Sequence, residues 1–240
     1  MKPETASRIL SLNHQFYQSF AEDFSETRQR LQSGVQQILN QIPPESHILD
    51  VGCGNGELVR ELIKTGLPST YLGIDFSDKL LKEANLDIPQ TFSVDFCELD
   101  LTKSSWSDLI PKAPFDIVVC FAVLHHIPGR ESQLNVCKNI RRFISDKGVF
   151  YLSNWQFLKS PRLQKRIIPW SEAGFSENDI DKGDFLLDWR RGGTGTRYVH
   201  HFSPDELSLL ADESGFCIKN SFYSDGKEGD LSLYQVWEPV

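Results

Sequence analysis

Short runs of apolar and β-branched residues alternate along the chain with longer amphipathic stretches. The short runs end at Gly or Asp, and the longer stretches space their apolar residues as helices do. This alternation predicts βαβ units that build a parallel sheet with helices on both faces. Strands are predicted at residues 47–51, 71–74, 91–94, 115–120 and 148–153, with helices at 57–64, 77–85, 106–110 and 131–143.

The two ends of the chain complete this pattern. A helical N-terminal segment covers residues 1–42 and stops at a Pro-Pro pair, which cannot continue a helix. Ser203 is the predicted N-cap of a late helix, and an Asp-Gly turn joins two final strands. These late elements lie at residues 204–215, 217–223 and 232–238. We therefore expect an α/β fold with a seven-stranded, mostly parallel sheet and an antiparallel last strand.

Residues 155–202 do not follow the alternation and show no clean period. A long insertion near the C-terminal edge of a sheet is more often a lid or substrate loop than a linker. With 240 residues, the chain can bury one α/β core and is short for two. We expect one domain, made of a helical segment (1–42), a core (46–153), the lid insertion (155–202) and a C-terminal helix and hairpin (203–240).

Composition narrows the partners and the compartment. The net charge of -8 argues against a surface that binds polyanions everywhere, so we expect no DNA partner. No apolar run matches a secretory signal or a membrane span, which predicts a cytoplasmic protein without a membrane partner. The five cysteines form no C-x-x-C pair, and His125-His126 has no third ligand at usable spacing, so no metal site is predicted.

A glycine-rich turn follows the first strand, in the segment ILDVGCGNG (residues 48–56). Gly52 and Gly54 let the backbone approach a ligand closely, with Cys53 between them. The spacing is G-x-G-x-G, which differs from the G-x-G-x-x-G of dinucleotide sites. Glu57 at the start of the next helix would repel a pyrophosphate, whereas Asp50 before the turn suits a cationic amino acid group.

Acidic residues also follow the next two strands. Asp75 lies roughly 20 residues past the glycine turn, where a carboxylate can accept both hydroxyls of a ribose. Asp100 can accept from an adenine amino group while Leu101 packs against the ring. The residues predicted to bind this nucleoside with a charged tail are Asp50, Gly52, Cys53, Gly54, Asp75, Phe76, Ser77, Asp100, Leu101 and Phe121.

As a set, these motifs resemble the class I S-adenosylmethionine-dependent methyltransferases. The resemblance spans roughly residues 46–153 and rests on ILDVGCGNG, Asp75, Asp100-Leu101, and FDIV leading to Leu124-His125-His126. It implies a Rossmann-like fold and S-adenosylmethionine as the cofactor. It also implies that Gly52, Gly54 and Asp75 contact that cofactor.

Motifs outside the core resemble the eukaryotic tRNA methyltransferases that esterify a carboxymethyl group on the wobble uridine. They are NHQFY at 13–17, FSETR at 24–28, GDFLLDW at 183–189 and RYVHHF at 197–202. This resemblance implies tRNA as the methyl acceptor and an activating subunit as a partner.

The chemistry of such an acceptor assigns roles to residues in these motifs. A carboxylate is already ionised at neutral pH, so Arg28 and Arg197 would hold it without a strong base. The residues predicted to contact the rest of the substrate are Tyr17, Asp184, Trp189 and Tyr198, whose aromatic members can stack on a splayed base. If the acceptor is a hydroxyl, His125 is the candidate general base and His200 the second choice.

Three functions remain open at this point. The enzyme acts on a modified uridine in tRNA, or it methylates a small molecule, or the chain binds the cofactor without catalysis. The basic run at 159–166 can steer a phosphate backbone, but such runs are more often a solvated face. The aromatic residues, likewise, are more often packing than base platforms.

Overall fold

A computed structural model describes residues 1–26, 30–66, 68–86, 88–89, 91–103, 106–110 and 114–240. The strands are β1 (Ser46–Val51), β2 (Pro68–Asp75), β3 (Ser93–Glu98), β4 (Phe115–Phe121), β5 (Ile144–Trp155), β6 (Ile167–Ile168), β7 (Asp184–Trp189), β8 (Gly195–His200), β9 (Phe216–Ser224) and β10 (Ser232–Pro239). The α-helices are α1 (Pro3–Ser19), α2 (Ala21–Glu26), α3 (Ser33–Leu39), α4 (Glu57–Thr65), α5 (Asp78–Ala84), α6 (Arg130–Phe143), α7 (Pro161–Gln164) and α8 (Pro204–Glu213).

Seven strands form the central sheet in the order β3-β2-β1-β4-β5-β10-β9. Strands β1 to β5 pair in parallel, and β10 runs antiparallel to both β5 and β9. The predicted α/β fold with an antiparallel last strand is therefore confirmed. The strand order reverses between β1 and β4, and α/β sheets bind ligands at the carboxyl ends of the strands beside such a point.

Apolar side chains cover both faces of this sheet. On one face α6 and α8 pack over β4 and β5, and on the other α3 and α4 pack over β1. Ser203 caps α8 with a capping box to Glu206, as predicted from the sequence. None of the helices in the described part of the chain is long and apolar enough to span a membrane.

Two elements differ from the sequence predictions. The third strand was predicted at 91–94 and forms at Ser93–Glu98, because parallel pairing with β2 sets its register, with Asp75 opposite Glu98. The helix predicted at 106–110 is a short 3-10 helix, Trp106–Leu109, which buries Trp106. The carboxyl ends of β2 and β3 thus lie side by side.

The insertion contains its own antiparallel sheet, in the order β6-β7-β8. Most residues of β7 and β8 are buried, so their sequence lacks the alternation of apolar and polar residues that marks a half-exposed strand. Helix α1 lies against this sheet, where Ile9 packs with Trp170, Leu186 and Tyr198. The N-terminal helix and the insertion therefore form one structural unit above the carboxyl edge of the central sheet.

Candidate functional site

A cavity lies at the carboxyl ends of the central strands, beneath helix α1. The predicted cofactor residues that line it are Asp50, Gly52, Cys53, Gly54, Asp75, Phe76, Asp100, Leu101 and Phe121. Ser77 does not line the cavity, because its buried side chain caps α5 by accepting a hydrogen bond from the Leu80 amide. The structure thus brings all but one of the predicted cofactor residues around a single space.

The glycine turn is held in place by hydrogen bonds to β2. The amides of Gly52 and Cys53 donate to the Ile74 carbonyl, and the Gly54 amide donates to Asp75 Oδ2 at 3.0 Å. Gly52 and Gly54 have φ values of 78° and 54°, in the left-handed region that favours glycine. A Cβ on Gly54 would meet open space, so this backbone is exposed to whatever occupies the cavity.

Two buried carboxyl groups face the cavity. Burial raises the pKa of Asp50 to about 7, an effect to which Asp75 adds and which the hydrogen bond from the Tyr71 hydroxyl opposes. Burial also raises the pKa of Asp75, while hydrogen bonds from the Ser77 and Gly54 amides lower it. A cation in the cavity would stabilise both carboxylates, so the site suits a positively charged ligand.

Helix α1 forms the roof of the cavity through Leu10, Asn13, His14 and Tyr17. The His14 ring stacks on Phe76 with their centroids 4.5 Å apart, and Tyr17 contacts Phe76 edge-on at 5.8 Å. Burial lowers the pKa of His14 and favours its neutral ring, although Asp100 opposes this effect. His14 was not among the predicted site residues, but residues 10, 13, 14 and 17 have the spacing of one helix face, and this spacing could have revealed it.

The two histidines after β4 have different surroundings. His126 lines the cavity and contacts Tyr17, with ring centroids 5.6 Å apart. His125, the predicted base for a hydroxyl acceptor, is 1% exposed and accepts a hydrogen bond from the Trp155 amide. Ala122, with φ of 57°, precedes the 3-10 turn that carries both residues. That turn directs His126 to the cavity and His125 behind its wall.

Hydrogen bonding fixes the tautomer of His126. Its Nδ1 lies 3.0 Å from the Tyr198 carbonyl oxygen, which can only accept a hydrogen bond. Nδ1 therefore carries the proton of the neutral ring, and the lone pair is on Nε2. This is the arrangement in which a histidine accepts a proton through Nε2.

Several predicted catalytic and substrate residues lie in the insertion and not on the cavity wall. Asp184 accepts hydrogen bonds from the Tyr198 hydroxyl at 2.7 Å and from His200 Nδ1 at 2.6 Å. The buried Arg197 guanidinium lies over the Trp155 ring at 4.7 Å and near Trp189 at 5.6 Å. These contacts connect the residues to one another and stabilise the insertion. Their predicted contacts with substrate stay predictions, and Arg28 lies outside the described residues.

The basic run lies on and beside α7, away from the cavity. Lys159, Arg162 and Lys165 are exposed. Lys159 lies 3.6 Å from the centre of the Tyr223 ring and 3.7 Å from Asp230. These contacts fit a solvated face. No group of three potential metal ligands forms among the residues that the structure describes.

The sequence and the fold of this chain are similar to those of known proteins. A family profile described as "Methyltransferase domain" matches residues 24–219. An Encephalitozoon cuniculi protein named "Putative methyltransferase" is 31% identical over 208 residues, covering 85% of this chain and 87% of that protein. The "Ubiquinone biosynthesis O-methyltransferase" of Nitrosospira multiformis is 26% identical, covering 79% of this chain and 74% of that protein.

Two further similarities concern a tRNA enzyme and the fold. The mouse "Probable tRNA methyltransferase 9B" is 23% identical over 72% of this chain, which spans 36% of the mouse protein. The structure of a SAM-dependent methyltransferase from Methanosarcina mazei matches with a TM-score of 0.64 at 22% identity, covering 85% of this chain and 97% of that one. The family profile begins at residue 24, so α1 lies outside it.

Proposed function

Because the chain belongs to the family of methyltransferase domains, we propose that it transfers a methyl group from S-adenosylmethionine to a hydroxyl oxygen of a small molecule. The observation that carries this proposal is His126, which lies on the wall of a roofed cavity with its proton on Nδ1. Its Nε2 lone pair can then take the proton of a hydroxyl acceptor.

The residues around the cavity fit this cofactor. The Asp50 and Asp75 carboxylates suit its ammonium group and ribose hydroxyls, and the open backbone at Gly54 gives room for a ligand. His14 and Phe76 offer aromatic faces near Asp100. When bound, the cofactor supplies an electrophilic methyl group. The chain's own part is to hold the acceptor oxygen and remove its proton.

A base matters for a hydroxyl acceptor in particular. A phenol has a pKa of about 10 and is almost fully protonated at neutral pH. Removal of this proton by a positioned histidine contributes about 10²- to 10⁴-fold to a reaction rate. Tyr17 packs edge-on against His126 and limits the orientation of its ring. His126 can thus supply the base that methylation of a hydroxyl group needs and that methylation of an ionised carboxylate does not.

The charge of the cavity favours a small acceptor. Acidic residues that line it are Asp50, Glu57, Asp75 and Asp100, whereas Arg30 is the single Arg or Lys among the described lining residues. A polyanion needs clustered basic residues at its contact. The roof formed by α1 favours a molecule that fits beneath it. The relative from N. multiformis, named as an O-methyltransferase, supports this type of acceptor.

A tRNA carboxymethyl acceptor is the second candidate. It is favoured by the similarity to the mouse protein, whose name refers to tRNA, and by the buried Arg197 among aromatic rings. In that case the acceptor carboxylate is already ionised, and His126 would have no proton to remove.

The test is transfer of labelled methyl from S-adenosylmethionine to total tRNA, to a small-molecule extract and to a panel of hydroxybenzoates. We expect label in the small-molecule fractions, and a loss of kcat of about 10²-fold or more in His126→Gln. His47→Gln, an exposed histidine at the start of β1, is the matched control with unchanged turnover. Asp75→Ala is the control that lacks cofactor binding.

Other outcomes contradict the proposal. Label in tRNA that base releases as methanol would indicate an ester on a carboxymethyl nucleoside and refute the small-molecule proposal. Cofactor binding without label in any fraction would point to a non-catalytic module. Full activity of His126→Gln would remove the proposed base.

A further inference from the structure

Asn13 is a polar residue in the interior of helix α1 and is only 2% exposed. Asn is among the weaker helix formers, and burial of its amide is costly unless the amide is hydrogen-bonded. The apolar cluster that docks α1 on the insertion contains Ile9 and does not include Asn13. A specific set of hydrogen bonds must therefore account for the amide at this position.

The Asn13 amide binds the backbone of β8. Its Oδ1 accepts from the Tyr198 amide at 2.7 Å, and its Nδ2 donates to the Tyr198 carbonyl at 3.3 Å. Strand β8 is the edge of the small sheet, where backbone groups lack a strand partner. The Asn13 side chain takes the place of a neighbouring strand and satisfies both groups of one residue.

The same two elements hold the proposed base. Nδ2 of Asn13 also donates to the backbone carbonyl of His126, at 3.0 Å. The Tyr198 carbonyl that receives Nδ2 is the one that accepts from His126 Nδ1. Asn13 thus holds the backbone of His126 and the peptide group that sets the ring tautomer.

We propose that Asn13 is a positioning residue that couples the docking of α1 over the cavity to the alignment of His126. When α1 is seated, the amide fixes the Tyr198 carbonyl, and the His126 ring presents its Nε2 lone pair. When α1 lifts, the carbonyl loses this support and the ring loses its orientation. This inference rests on the proposed function, because it assigns His126 the role of base.

Other contacts hold α1 to the insertion independently of Asn13. Arg8 donates to the Gly174 carbonyl at 2.9 Å and lies over the Phe175 ring at 4.5 Å. The N-terminal ammonium group pairs with Asp181. Loss of the Asn13 amide therefore leaves the helix anchored at its N-terminal end. Arg8→Ala, conversely, removes one anchor of that end but leaves the ammonium pair with Asp181 and the hydrogen bonds of Asn13 in place, so α1 stays docked and the variant serves as the matched control.

The experiment compares Asn13→Ala, Asn13→Asp and Arg8→Ala in the full chain. Asn13→Asp keeps the oxygen that accepts from the Tyr198 amide and removes the NH₂ group that donates to the Tyr198 and His126 carbonyls. It therefore separates the effect of the acceptor from that of the donor. The quantities to measure are kcat and KM with the hydroxyl acceptor that takes up most label in the transfer test, the cofactor affinity by calorimetry, and the His126 tautomer by ¹⁵N NMR. The His126 signals are assigned by their disappearance in His126→Gln.

Both Asn13 variants are expected to lower kcat about 10- to 100-fold, less than loss of the base itself, while cofactor affinity changes little. Their His126 signals should shift from the Nδ1–H tautomer towards a mixture. Arg8→Ala should keep the wild-type tautomer and kcat. A wild-type kcat and tautomer in Asn13→Ala would overturn the inference, as would equal losses in Arg8→Ala.

The tautomer measurement needs no turnover, so the two proposals fail separately. If His126→Gln is fully active, the proposed function fails, whereas a tautomer shift in Asn13→Ala would still show that Asn13 positions the ring. If His126→Gln is inactive and the tautomer is unmoved by Asn13→Ala, the proposed function stands and the positioning role fails.

Discussion

As the pH rises, ionisation of Asp50 should lower the free energy of unfolding and raise the affinity for the cofactor. This side chain at the end of β1 is 3% exposed, and burial raises its pKa from 3.8 to about 7. The perturbation is Asp50→Asn, which keeps the size of the side chain and an oxygen acceptor for the Tyr71 hydroxyl. The variant cannot ionise, so it isolates the effect of the charge.

The magnitude follows from the two pKa values. One pKa unit corresponds to about 1.4 kcal/mol, so the shift from 3.8 to about 7 amounts to at most about 4 kcal/mol. Below the lower value the carboxyl group is protonated in both states and costs nothing. Between the two values the unfolded chain has released the proton and the folded chain has not, so stability falls as the pH rises. The loss is complete above the folded value.

Cofactor binding should respond in the opposite direction. An ionised Asp50 attracts the ammonium group of S-adenosylmethionine, so wild-type affinity should decrease as the pH falls below about 7. Asp50→Asn should bind the cofactor more weakly than the wild type at about pH 8, and the difference should shrink at about pH 5. At the higher pH the variant should therefore bind the cofactor more weakly than the wild type and be more stable when no cofactor is bound.

The assay is urea denaturation of the cofactor-free protein at about pH 5 and about pH 8, with calorimetric titration of cofactor alongside. Asp50→Asn should gain stability relative to the wild type at the higher pH. Tyr71→Phe is the companion variant, because loss of the donor to the carboxylate should move the midpoint of the pH dependence upward. A stability difference that is equal at both pH values, or a less stable Asp50→Asn at the higher one, would refute this reasoning.

Two further predictions concern the glycine turn and the basic run. A Cβ on Gly52 would lie 2.2 Å from a Val123 methyl group, so Gly52→Ala should cost about 1–3 kcal/mol in urea unfolding and weaken cofactor binding; Gly52→Ala with Val123→Ala should recover part of that loss. Unchanged stability of Gly52→Ala would contradict the inference that Val123 leaves no room for a Cβ at this position. Lys165→Ala with Arg166→Ala should change neither turnover nor tRNA retention in filter binding, and a salt-dependent loss of tRNA would favour the tRNA acceptor instead.

The meeting of the predicted cofactor residues around one cavity could be foreseen because its signals are local. A buried strand, a glycine turn and a helix follow one another within residues 46–65, and Asp75 and Asp100 mark the ends of the next two strands. Parallel strands place their carboxyl ends at one edge, so these residues had to meet. Ser77 was predicted to bind the cofactor, and its side chain caps α5; the sequence does not separate the two roles, because helix capping and ligand binding favour the same residue type at that position.

The side of the cavity where we propose that the acceptor binds was less predictable, because it depends on contacts between distant segments. The choice between His125 and His126 is made by the direction of a 3-10 turn after Ala122, which no spacing in the sequence reveals. The small sheet of the insertion lacks a strand period because both faces of β7 and β8 are covered. The role of Asn13 cannot be read from the sequence, because its partner Tyr198 lies 185 residues away along the chain.

The docking of α1 on the insertion has a consequence for the order in which contacts form during synthesis. The N-terminal ammonium group and its partner Asp181 are 180 residues apart, and Asn13 is 185 residues from Tyr198. During synthesis the first helix therefore leaves the ribosome long before its docking surface exists, and such distant contacts form late in folding. The glycine turn and Asp75 can meet while the nascent chain is still growing, whereas helix α1 can close the roof of the cavity only after β8 has been translated.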